Sequence, residues 1–109
     1  MDTVLVVATL STWSIDSVEA ALRREGIFDI AVTSVRGYGA SVDYLSRDHL
    51  VDRVKLEVLV ARDDAVRVAN AIARASEAGA PGEGTIAVLP TNFVLDMRTS
   101  SSRLAPAER

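Results

Sequence analysis

Apolar residues run almost unbroken through residues 3–10, TVLVVATL, and β-branched side chains dominate the run. That pattern predicts a strand at the centre of a sheet or covered on both faces. The stretch that follows, STWSIDSVEAALRREG, changes period. Ile15, Val18 and Leu22 recur at helical spacing, which predicts a helix with one apolar stripe. Ser14 is placed to cap it, Asp16 and Glu19 suit the positive end of its dipole, and Gly26 supplies a left-handed stop. Trp13, just before the cap, is positioned to fold back as a hydrophobic staple.

A second strand is expected over residues 28–39, FDIAVTSVRGYG, followed by an irregular polar loop, ASVDYLSRDHLV. Residues 53–61, RVKLEVLVA, alternate cleanly. Val54, Leu56, Val58 and Val60 face one way and Lys55 and Glu57 the other, a strand with one wet side. RDDAVRVANAIARASEAG reads as a second helix, capped by Asp63 or Asp64, striped by Val66, Ala69, Ile72 and Ala73, and ended by Gly79. GTIAVLP is a fourth strand, TNFVLDMRT a short extended segment, and residues 100–109 a disordered tail. The order β-α-β-β-α-β, with right-handed crossovers, predicts an α+β fold of the ferredoxin-like kind. Its four strands form one antiparallel sheet with both helices on one face. The other face is then bare, and strands this rich in Val, Leu and Ile make it an apolar patch that further subunits are expected to cover.

Composition narrows the function classes. A chain of 109 residues with 49% hydrophobic and 25% charged side chains is ordinary globular material, expected to form one domain. A formal net charge of -3 argues against a nucleic-acid backbone binder. Cysteine is absent, so no disulfide or thiolate metal site is expected, and the default location is the cytoplasm. VLVVATL is too short to cross a bilayer and lacks the basic start of a signal peptide, so no membrane insertion is expected. His49, beside Asp48, is the one imidazole, too thin an inventory for a metal site. The serines have no base that the sequence places beside them, and capping accounts for Asp63 and Asp64. Nothing here points to an enzyme, and no catalytic residue is assigned.

Five stretches carry a resemblance: RREGI ending a helix, AVTSVRGYG ending a strand, DRVKLEVLV, EAGAPGEGTIAVLP and MRT. In this order and spacing the chain resembles the PII signal-transduction family over residues 3–99, with gaps only in the loop after Gly39. The domain is accordingly placed at residues 1–99, with the loop at 40–52. The resemblance implies the same ferredoxin-like unit assembled as a homotrimer, its three sheets facing inward. It also implies an adenine nucleotide in clefts between subunits, and a surface loop that docks on a membrane transporter or a metabolic enzyme.

The implied nucleotide site is carried over residue by residue. In GAPGEGTIAV, Gly82 and Gly84 match the two glycines of a phosphate-cradling turn, Glu83 matches its acid, and Thr85 falls where the family has lysine. A plainer account competes: Gly79 as a helix stop and Pro81-Gly82 as a tight connection also explain this composition. The resemblance favours the cradle. Gly37, Tyr38 and Gly39 match the segment bordering the adenine, Leu59 an apolar residue near the base, and Arg98 a phosphate partner from the neighbouring subunit. Tyr44, Arg47 and His49 lie in the partner-binding loop.

The departures bear on the ligand. Besides Thr85 for lysine, Asp96 and Ala40 stand where the family has arginine. Fewer cations and one added carboxylate favour AMP, ADP or cyclic AMP over ATP, unless Arg36, Arg47 or Arg103 moves in. The loop is short and has no glutamine after GYGA, and Arg53 alone does not make a 2-oxoglutarate site. The chain is therefore read as PII-like and outside the nitrogen-sensing group. Two alternatives stay open: a trimeric interaction module without ligand, and a CutA-like metal-responsive protein.

Overall fold

The computed structural model describes residues 2–37, 51–76, 84–97 and 101–104. Tyr38, Gly39, Ala40, Tyr44, Arg47, His49, Gly79, Pro81, Gly82, Glu83 and Arg98 lie outside them. The elements are β1 (Thr3–Ser11), α1 (Ile15–Arg24), β2 (Ala31–Gly37), β3 (Val51–Ala61), α2 (Ala65–Ala75), β4 (Ile86–Pro90), β5 (Val94–Asp96) and β6 (Ser101–Leu104). The first four strands to be predicted form one sheet in the order β2-β3-β1-β4, and every neighbouring pair is antiparallel. This is the α+β, ferredoxin-like arrangement expected from the element order.

The strand period decides what is buried. Val4, Val6, Ala8 and Leu10 of β1 pair with Val60, Val58, Leu56 and Val54 of β3, and all eight are at most 9% exposed. Paired residues project to the same face, and on this face α1 contributes Val18, Ala21 and Leu22 and α2 contributes Ala65, Val68 and Ile72. Each Leu or Ile so buried is worth about 1.5–3 kcal/mol.

The C-terminus of α1 follows from one glycine. Gly26 has φ +85, which a side chain rarely adopts, and its N–H donates to the Arg23 carbonyl while the Ile27 N–H donates to the Leu22 carbonyl, both at 2.9 Å. These are the two bonds of a Schellman stop.

Several local expectations are corrected. The stripe of α2 is Ala65, Val68 and Ile72; Val66 is 72% exposed, Ala73 is exposed and Ala69 only half-buried. A turn of 3-10 helix, Arg62–Asp64, precedes α2, and the run of alanine and valine allows more than one stripe. Ser14 and Asp64 stand at the N-cap positions, yet neither side chain makes the capping bond. Ser14 is instead buried, its hydroxyl 3.1 Å from that of Ser11. Trp13 is 72% exposed and staples nothing. β2 begins at Ala31, leaving Phe28 outside it, and β3 begins at Val51, which shortens the expected loop. α2 ends at Ala75, ahead of Gly79. Residues 101–104, expected in a tail without structure, pair as β6 with β5.

Candidate functional site

The open face of the sheet carries the residues of interest. Leu5 of β1 lies between Leu59 of β3 and Leu89 of β4, a row of leucines across three strands. Leu59 and Leu89 remain 46% and 43% exposed. Further along the same face, Val7 sits between Glu57 and Ala87, and Thr9 faces Lys55. Lys55 and Glu57 are on the side expected from their alternation, but half-buried rather than fully wet.

One end of this face receives Gly84 and Thr85. The Gly84 N–H donates to the Thr9 carbonyl at 3.1 Å, and the Thr9 N–H donates to the Thr85 carbonyl at 2.9 Å. Two residues thus face one, the pattern of a β-bulge. A Cβ added at Gly84 would lie 3.2 Å from the Thr9 Cβ, so glycine here permits close approach to β1. The Gly84 amide is consequently spent on the sheet, and an anion held at this turn must find its N–H groups elsewhere in it. Gly37 closes β2 opposite Val51 at the same end of the sheet, on the far edge from β4. Arg36, one of the cations considered as a replacement, forms an exposed 3.1 Å ion pair with Asp52.

The other end holds a cavity. Phe28, Asp29, Leu59 and the β5 segment Val94, Leu95, Asp96 and Met97 line a space of 630 Å³. Phe28 and Met97 are 73% and 89% exposed, so its walls are apolar surface open to solvent. Of these residues only Leu59 was a predicted site position; Asp96 had been noted for its charge. Phe28, Asp29 and Met97 went unseen because Phe28 reads as the start of a strand and Met97 as part of a chain end. No described residue lining the cavity is basic.

Leu59 and the Gly84–Thr85 bulge therefore do not meet in one chain. Their β1 neighbours, Leu5 and Thr9, are four residues apart, a strand distance of about 13 Å. Among the described residues, no group of three or more His, Cys, Asp or Glu is arranged to hold a metal. No helix among them is long and apolar enough to cross a membrane.

The family model for the nitrogen regulatory protein P-II matches residues 3–101. The chain belongs to the P-II family. It is 35% identical over 102 residues to the P-II homolog of Arabidopsis thaliana, an alignment covering 86% of this chain and 52% of that protein. The P-II protein of Rhizobium meliloti is 32% identical over 104 residues, covering 89% of this chain and 93% of its own length. Thus this P-II protein spans about half the length of the plant relatives and nearly all of the rhizobial one. In three dimensions it is similar to the crystal structure of Arabidopsis thaliana PII bound to citrate, with a TM-score of 0.80 and 33% identity. That match covers 94% of this chain and 90% of the other. Family membership makes the chain a PII signal-transduction protein and sets aside the CutA-like alternative.

Proposed function

We propose that this P-II protein is a homotrimeric, cytoplasmic regulator that binds an adenine nucleotide between subunits and acts on a transporter or a metabolic enzyme through the loop after Gly39. The observation that carries the reading is the separation described above. The Gly84–Thr85 bulge and Leu59 lie on one face of the sheet, about 13 Å apart along β1, which supports a site completed by a second copy. Gly37, Tyr38, Gly39, Gly82, Glu83 and Thr85 then come from one copy, with Gly84 shaping the turn, and Leu59 and Arg98 from its neighbour. Tyr44, Arg47 and His49 are left for the regulated partner.

Charge selects among the nucleotides. A close unit-charge pair near a protein surface is worth about 4 kcal/mol before desolvation. Thr85 removes one such attraction and Asp96 adds a repulsion, which supports AMP, ADP or cyclic AMP over ATP and a role outside nitrogen sensing. Calorimetry with these four nucleotides tests the reading. Saturable binding, one ligand per subunit and weakest for ATP, is expected; no heat with any of the four overturns it.

The commitment of the Gly84 amide to Thr9 favours a second reading, a trimeric interaction module with no ligand. The same calorimetry separates the two.

A further inference from the structure

We infer that the cleft between α1 and α2 is a docking surface for an acidic protein segment, one that sets an aliphatic side chain on an alanine floor and carboxylates on Arg24 and Arg74. The surface lies on the helix side of the sheet, away from the open face, and does not depend on the nucleotide reading. Each helix gives it three residues at the same helical spacing: Ala21, Arg24 and Glu25 from α1, and Ala71, Arg74 and Ala75 from α2. Residues three and four apart share a helix face, so each arginine stands about one turn beyond an alanine of its own helix. The short alanine side chains leave the space between the helices open, and a longer side chain at Ala71 would occupy it.

Charge decides what the cleft attracts. The Glu25 carboxylate is bonded by Arg67. No carboxylate among the described residues lies within ion-pair distance of Arg24 or Arg74. The chain carries a net charge of -3, yet here two exposed guanidiniums border one depression. Arginines in the last turn of a helix also answer its dipole, and Arg23 does so as well as Arg24. Arg24, unlike Arg23, shares the cleft with Arg74. A guanidinium offers N–H donors in a fixed fork and no acceptor, which matches a carboxylate. The cleft holds 260 Å³, below the roughly 300–1,000 Å³ of sites that enclose a free small molecule. That size suits one aliphatic side chain set down by a partner, with its acidic neighbours reaching outward to the arginines.

The test is amide NMR of the whole isotope-labelled chain, titrated with a blocked peptide in which one leucine stands between two pairs of glutamates. The signals of Ala21, Ala71 and Ala75 are expected to move saturably, and the counterpart peptide with glutamines to leave them still. Arg24→Gln combined with Arg74→Gln should weaken binding about tenfold. Ala71→Leu fills the cleft without changing its charge and should weaken binding at least as much. Arg23→Gln, outside the cleft, should change it by less than about twofold. Circular dichroism checks each fold, and the arginine pair decides if Ala71→Leu does not fold. A peptide titration that moves none of these signals overturns the proposal. Equal weakening by Arg23→Gln also overturns it, since that would mean unfocused charge attraction. So does inorganic phosphate moving the same signals with the same affinity, which would make this a simple anion site.

Discussion

The two faces of the sheet are woven from the same strands, yet only one is finished within the chain. On the helix face Val4, Val6, Val58 and Leu56 are at most 1% exposed. One residue along, on the open face, Leu59 and Leu89 are nearly half exposed. Composition does not distinguish the faces, since both carry Val and Leu. What differs is cover: α1 and α2 close one side, and nothing in the described chain closes the other. Among the described residues, then, the sheet is half a core.

Four substitutions break that contrast at different points. The largest effect is expected on the covered face. Leu56→Ala removes a fully buried side chain and should cost about 2–5 kcal/mol, read as a fall in the urea midpoint with an unchanged slope. Leu59→Glu belongs to the open face and should do the reverse. It should leave the far-ultraviolet spectrum of the dilute chain in place while lowering its mass in sedimentation, because a carboxylate would have to be buried against a neighbouring copy.

Gly26→Ala comes next. At φ +85 a side chain costs roughly 1–2 kcal/mol, and thermal melts should show it even though the space around Gly26 is open. The smallest effect is on the helix surface, where Arg67 bonds Glu25 and lies 3.5 Å from Asp64. The hydrogen bond to Glu25 raises the Arg67 pKa, so the guanidinium stays charged at any pH where the protein is studied and supplies no pH switch. Exposed pairs like these are worth about 0–1 kcal/mol and weaken with salt. Arg67→Ala should therefore change the melt slightly, and less so at high ionic strength.

Long periodic segments were legible in the sequence, and the places where the chain changes rhythm were not. β1 could be read from its unbroken apolar run and β3 from its clean alternation. The phase of α2 could not, since Ala65, Val66, Val68, Ala69, Ile72 and Ala73 are all apolar and more than one stripe can be drawn through them. Ser14 looks like a cap in sequence because its chemistry suits one; burial beside Ser11 directs its hydroxyl elsewhere. In the candidate site, Gly84 was singled out as a backbone that could approach a ligand. The approach it makes here is to Thr9. The cavity walls Phe28 and Met97 had no signal of their own, because a lone aromatic and a lone methionine gain meaning only when the fold brings them to one cavity with Leu59 of β3.

Sedimentation velocity on the unmodified chain at micromolar concentration is the most direct check on the central claim, that copies of this chain close the open face. A single species of three times 11.6 kDa is predicted. A species of 11.6 kDa at that concentration would mean that the leucine row stands in water, and would contradict both the trimer and the crevice built on it.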